Sequence, residues 1–308
     1  MAADPPTALF SLRILTGHAK AVWAVVVTPD GQRAVSASAD QTLKVWDLTS
    51  GRELRTLLGH SGSVKGVALM PDGKRVVSSS WDKTLKVWDL SSGRKLRTLT
   101  GHAACVTAVA VMADGQRAVS ASWGKTLKVW DLTRRVWNLT KWGALRTLSG
   151  HSDWVNAVAV SGAGRLAVSA SGDQTLKVWD LGSGRALYTL TGHRDFVQGV
   201  AVSGDGRLAV SASNDDKVKV WDLGSGRELR TLIGHAGEVI GVALIPDGER
   251  VVSASNDRTL RVWEMKSGRE LATFKADAAL YCCTVCPDGR TILTGDEKGV
   301  IHVLRLDE

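Results

Sequence analysis

An all-β ring of seven four-stranded antiparallel blades, a seven-bladed β-propeller closed on itself, is the fold this sequence predicts. Three observations predict it. A cassette of about forty residues recurs seven times along the 308 residues. Six copies open with Gly-His (Gly17-His18, Gly59-His60, Gly101-His102, Gly150-His151, Gly192-His193, Gly234-His235) and close on Trp-Asp or Trp-Glu at Trp46, Trp88, Trp130, Trp179, Trp221 and Trp263. Between these landmarks each copy holds short apolar runs bounded by turn residues, without helical periodicity. The spacing is 42 residues, except for one interval of 49 between the third and fourth copies.

The first copy justifies each element in turn. Val22-Trp23-Ala24-Val25-Val26-Val27 is a largely β-branched run ended by Thr28-Pro29-Asp30-Gly31, which suits a buried strand. Arg33 to Ser38 supplies a second strand, Thr42 to Leu48 a third after the Ala39-Asp40-Gln41 turn, and Glu53 to Leu57 a fourth after Thr49-Ser50-Gly51. One such sheet cannot bury both faces, so the copies must stack and close. The uninterrupted repeat makes residues 1–308 a single domain, although length alone would allow two. Three strands follow the sixth copy, and Leu9 to Thr16 resembles the fourth-strand segment Gly51 to Leu58. The N-terminal strand, about 9–16, is therefore expected to complete the last blade and leave no open sheet edge.

On these residues the chain resembles the WD-repeat (WD40) propeller family over residues 9–306, and the near-identity of its copies resembles prokaryotic members. The resemblance implies a buried His, Ser/Thr, Asp, Trp tetrad in each blade. The matching positions are His18, Ser36, Asp40, Trp46; His60, Ser78, Asp82, Trp88; His151, Ser169, Asp173, Trp179; His193, Ser211, Asp215, Trp221; and His235, Ser253, Asp257, Trp263. The third copy has His102, Ser120 and Trp130 but Gly124 in place of the acid. The seventh places Asp277, Thr294, Lys298 and Leu304 at the four positions, so no tetrad is expected there.

Composition narrows the function classes. With 44% apolar residues the chain can fill a large core, and no run approaches the roughly 18 apolar residues of a membrane span. The first ten residues hold Asp4, Pro5 and Pro6 where a secretory leader would need a basic start and an apolar run, so a cytoplasmic protein with no membrane association is expected. Cys105, Cys282, Cys283 and Cys286 are too few and too clustered for a disulfide framework. Cys283 and Cys286 have C-x-x-C spacing but lack two further ligands, so buried apolar packing is expected and no metal or cofactor. The Ser, His, Asp trio recurs in five copies, which a single catalytic site does not explain, and no enzyme is expected. Gly124-Lys125-Thr126 resembles the end of a phosphate-binding loop but has Val119 in place of the earlier glycine and no helix to follow.

Comparing the copies separates framework from freedom. Trp23, Trp81, Trp123, Trp154, Phe196 and Tyr281 stand where other copies differ, and Lys65, Asn156, Gln198 and Glu238 occupy similar variable positions. The resemblance places them around the mouth of the central channel on the top face, where family members commonly dock partners. A non-catalytic scaffold or sensor that binds a protein or peptide there is the expected function, either free-standing or within a longer signalling ATPase or kinase chain. The alternative is nucleic-acid or polyanion binding at the opposite end. There basic residues such as Arg33, Lys74, Arg75, Arg117 and Arg250 recur after the turns, contributing to a net charge of +8. The insertion carrying Arg134, Arg135, Trp137 and Trp142 would add a secondary contact at that end.

Overall fold

The computed structural model describes residues 8–133 and 144–307, so the insertion with Arg134, Arg135, Trp137 and Trp142 lies outside the described residues. The described residues form seven four-stranded antiparallel sheets. In blade 1 the strands run outward from the ring centre as Val22–Val27, Arg33–Ser38, Leu43–Asp47 and Glu53–Leu57. Blades 2 to 6 repeat this order.

The last blade is made from both ends of the chain. Its three inner strands are Leu280–Val285, Thr291–Asp296 and Ile301–Asp307, and Ala8–Leu15 pairs antiparallel with the third, from Ala8 opposite Asp307 to Leu15 opposite Ile301. The N-terminal strand thus closes the ring, as the sequence predicts.

Seven hydrophobic clusters lie between neighbouring blades rather than within a single central core. Val35, Leu43 and Leu57 of blade 1, for example, pack with Val64, Val76 and Trp88 of blade 2. The six framework tryptophans are each about 1% exposed, and truncating one to alanine would cost about 3–5 kcal/mol. Inner strands converge near the axis, which explains their small residues. A Cβ added at Gly241 would stand 2.9 Å from Cys282 Cα, and one at Gly66 would stand 2.7 Å from Ser79 Oγ.

Outer strands latch each blade to the next. Arg97 Nη1 donates to Leu132 O at 2.7 Å, Arg146 Nη1 to Gly182 O at 2.8 Å, Arg230 Nη1 to Ser267 O at 3.0 Å and Tyr188 Oη to Gly224 O at 3.0 Å.

Candidate functional site

Two kinds of polar constellation repeat around the ring, and their burial separates them. In blade 1, His18 Nδ1 lies 2.8 Å from Asp40 Oδ2 and its Nε2 2.7 Å from Ser36 Oγ, which also accepts from Trp46 Nε1 at 2.8 Å. Blades 2, 4, 5 and 6 reproduce this arrangement with the residues matched above. A Ser–His–Asp chain of this kind resembles a hydrolytic relay in outline. Yet all five serines are 0% exposed and capped by an indole N–H, so no substrate can reach the hydroxyl.

The arrangement instead holds charge in place. Burial works against the carboxylates, but hydrogen bonds from His18 and Thr42 outweigh it and hold Asp40 well below the ordinary range. Asp257 is lowered to about 2 in the same way, through Thr259, Ala236 and His235.

Blades 3 and 7 differ. His102 keeps its bond to Ser120 at 2.7 Å but has Gly124 where the others have an acid. Burial then pushes its imidazole down to about 4. Blade 7 lacks the tetrad, as the sequence predicts, yet it has a polar anchor of its own. Asp296, 3% exposed, accepts from Lys298 N at 2.9 Å and Val300 N at 2.8 Å, and its Oδ2 lies 3.3 Å from His302 Nε2. The acid has moved two residues upstream within the turn, and Thr294 donates instead to Cys282 O at 2.8 Å.

The second constellation lies at the end of the ring where second strands turn into third strands. Each inner strand carries a bulge at its second residue: Val22 pairs with Ser38 and Ala24 with Ala37, which leaves Trp23 without a pair. Lys65, Thr107, Asn156, Gln198, Ile240 and Tyr281 occupy the same bulge in blades 2 to 7. A bulge frees its residue from the ladder and re-aims its side chain. Here these residues line a cavity of about 490 Å³ at the channel mouth, together with Trp81, Trp123, Glu238 and Asn256.

Two further variable positions flank each bulge and are tied by one backbone bond. Trp81 N donates to Ser63 O, Trp123 N to Cys105 O, Gly172 N to Trp154 O, Asn214 N to Phe196 O and Asn256 N to Glu238 O, all at 2.8–3.0 Å. Glu238 therefore shares the position of Trp154 and Phe196, and is not equivalent to Lys65, Asn156 and Gln198 as the sequence comparison had it.

The structure brings most of the aromatic residues together in two stacks. Trp81 and Trp123 have centroids 5.2 Å apart, and Trp123 lies 4.7 Å from Trp154 with an interplanar angle of 23°. Trp23 stacks on Tyr281 at 4.6 Å. Lys65 stands between the stacks, its Nζ 3.0 Å from the Trp23 centroid and 5.8 Å from that of Trp81. Burial pushes its ammonium down to about 7. Trp81 and Trp154 remain 39% and 43% exposed. Phe196 sits apart, near Gly172. Asn156 is already committed, since its Nδ2 donates to Val197 O of the next inner strand at 3.1 Å.

Copy comparison missed the distribution of charge at this end. In blades 1 to 3 the turns carry Lys20, Lys83 and Lys125, all exposed, and no acid besides the tetrad residues Asp40 and Asp82. Blades 4 to 7 carry both signs, with Asp153, Asp195, Asp216, Glu238, Asp277 and Glu297 beside Arg194, Lys217, Arg258 and Lys298, so the acids are confined to this part of the ring. The signal was present in the residues that follow each Gly-His and each tetrad acid, read blade by blade.

At the opposite end the recurring basic residues are partly neutralised. Arg75 pairs with Asp72 at 2.7 Å, Arg250 with Asp247 at 2.6 Å and Arg117 with Asp114 at 3.5 Å. Cys283 and Cys286 belong to different hydrophobic clusters, and among the described residues no group of three His, Cys, Asp or Glu is placed to hold a metal ion. No helix of the described residues is long and apolar enough to cross a membrane.

A closed ring with a repeated buried framework and one variable mouth defines a repeat β-propeller. Sequence comparison agrees: the WD domain, G-beta repeat family matches residues 10–47, 51–89, 93–131, 142–180 and 184–222, and the TEP-1 C-terminal beta-propeller family matches residues 235–306. The chain belongs to the WD40-repeat family, whose propellers are typically non-catalytic protein-interaction scaffolds. It is 50% identical over 50 residues to small ribosomal subunit protein RACK1y of Oryza sativa subsp. japonica, covering 16% of this chain and 15% of that one. It is 56% identical over 39 residues to cross-pathway control WD-repeat protein 2 of Flammulina velutipes, and 44% identical over 48 residues to protein Mut11 of Chlamydomonas reinhardtii. These matches cover 13% and 16% of this chain, and 12% and 13% of those relatives.

Proposed function

We propose that this chain is a non-catalytic docking ring that holds a protein or peptide partner across the aromatic mouth. The observation that carries this reading is the convergence, at one end, of the three positions per blade that the framework leaves free, occupied there by the contiguous Trp81, Trp123 and Trp154. Exposed tryptophans at the centre of a rigid patch are the residues most enriched in binding hot spots. A preformed ring also reduces the ordering cost of association.

Polyanion binding at the opposite end fits less well, because several of the arginines there already face aspartates. A cytoplasmic setting suits four cysteines that all remain free. Service as the sensor of a longer signalling ATPase or kinase chain is compatible with the same mouth. The test is affinity capture with wild type and a Trp81→Ala, Trp154→Ala double variant at low and moderate salt. A salt-resistant partner lost in the variant supports docking at the mouth. Capture indifferent to the variant sinks it, and capture that vanishes with salt returns weight to the basic end.

A further inference from the structure

The mouth is divided by hydrogen-bonding capacity. On the blade 1–2 side Trp23 Nε1 is buried without an acceptor and the Ser63 hydroxyl is buried without a partner. An indole N–H can only donate. Lys65 Nζ, three further donors, faces two indole rings, and among the described residues no carboxylate lies within 4.0 Å of it. On the blade 5–6 side the unpartnered buried atoms are the Asn214 and Asn256 carbonyl oxygens, both acceptors. The orientation of Asn256 is set by its Nδ2, which donates to Glu238 Oε2 at 2.7 Å. Trp23 Nε1 and Lys65 Nζ are thus donors without acceptors on the blade 1–2 side, where the Ser63 hydroxyl can act either way, and the blade 5–6 side holds acceptors without donors.

Buried unpartnered polar groups cost stability in the free protein, and a ligand that pairs them recovers that cost on binding. An ammonium between indoles is stabilised by the ring quadrupoles, but less than by an ion pair in the same surroundings. The group that fits the blade 1–2 side is therefore an anion small enough to enter between aromatic rings and flat enough to accept two donors.

Building on the docking function above, we propose that the mouth receives an acidic side chain of a partner peptide, its carboxylate seated between Trp23 and Trp81 and accepting from Lys65 Nζ and Trp23 Nε1. The exposed Lys20, Lys83 and Lys125 around this half attract further acidic residues of the same peptide. The titratable group whose charge would act on Lys65 is the Cys282 thiol. Burial pushes the thiol up to about 12, so it stays neutral. Binding of a carboxylate to a lysine lowered to about 7 takes up a proton once the pH exceeds that value. Affinity should then weaken by up to tenfold per pH unit above 7.

The test is selection of random decapeptides displayed on phage against the purified full chain, followed by synthesis of the selected peptides as fluorescent probes. The expected result is a fixed Asp or Glu in the selected set, with Glu→Gln or Asp→Asn in the probe lowering affinity at least tenfold. Lys65→Met should abolish that difference and the pH dependence, while Lys65→Arg retains the preference for acid. Both variants are checked for an unchanged circular dichroism spectrum. Selected peptides without an acidic position overturn the proposal, as does an acid preference that survives Lys65→Met, or an empty selection. Peptides lost in Trp81→Ala but lacking an acid leave docking at the mouth standing and remove only this inference. Peptides indifferent to Trp81→Ala remove both. A single-stranded oligouridylate that displaces the probes and loses affinity steeply with salt would reassign the lysines to a nucleic-acid backbone.

Discussion

The guanidinium of Arg13 on the N-terminal strand reaches across the last seam of the ring and donates to Leu48 O of blade 1 at 2.9 Å and to Thr49 O at 2.5 Å. It crosses the turn at Gly51, where a Cβ would stand 2.6 Å from Arg13 Cδ. The glycine is needed twice there, since its φ of 76° also lies in the left-handed region. The latch ties the closing strand to the blade it does not belong to. Arg13→Ala should lower unfolding free energy by about 1–2 kcal/mol, read from the urea midpoint at an unchanged slope.

Blade 3 is the place to add a missing contact. A Cβ at Gly124 would meet Ser122 Oγ at 3.4 Å and Ala104 Cβ at 3.7 Å, ordinary contact distances. Gly124→Asp should return a carboxylate to His102 Nδ1 and stabilise the chain by about 1 kcal/mol. It should also raise the His102 imidazole from about 4, followed by nuclear magnetic resonance titration. An unchanged melting temperature would count against the geometric reading.

Lys65 carries a stability cost with a defined pH window. Its ammonium is lowered from 10.5 to about 7 by burial. Both folded and unfolded chains hold the proton below pH 7, so the cost is full there. It fades as pH rises between 7 and 10.5, where only the unfolded chain keeps the proton. Lys65→Met should therefore stabilise the protein at pH 6, by about 1–2 kcal/mol, and progressively less at pH 8 and 9, in denaturant titrations run at each pH.

The tetrad acids act in the opposite direction. Asp215 and Asp257 are lowered from 3.8 to about 2, and Asp40, Asp82 and Asp173 lie lower still. Their contribution is complete above pH 3.8 and is lost as pH falls through the folded values. Acid unfolding monitored by tryptophan fluorescence should begin below about pH 4. Asp257→Asn should reduce stability at pH 7 while flattening the acid limb.

Stacked indoles couple their transitions, so the Trp81, Trp123, Trp154 stack should give a circular dichroism couplet. Trp123→Phe, which removes the central ring, should abolish it, whereas Trp23→Phe should leave it intact. Loss of the couplet on adding a bound peptide would report a rearrangement of the stack.

The ring, the tetrads and the closing strand were legible because each is a relation repeated at fixed spacing, and five copies of His, Ser, Asp and Trp leave little freedom. Substitutes are harder to read. Asp296 takes the carboxylate role in blade 7 from a position where the other blades carry a serine, so an alignment by position finds Lys298 and reports nothing. The mouth was legible as a set of variable residues but not as an arrangement. That Trp23, Lys65 and Tyr281 occupy the same bulge position in three blades depends on strand register, which hydrophobic pattern leaves uncertain by a residue. The pairing of Trp81 with Ser63 through a backbone bond leaves no mark in composition. The confinement of the acids outside the tetrads to blades 4 to 7 was readable in principle, but only once it was known which turns share an end.

The pairing of Ala8 with Asp307 brings both ends of the described chain out at the same side, opposite the mouth. Mechanical tension applied between them would peel the closing strand from its neighbour one hydrogen bond at a time, rather than loading all of them in shear. The ring would thus open under pulling like a zip, starting between the closing strand and its partner in the last blade.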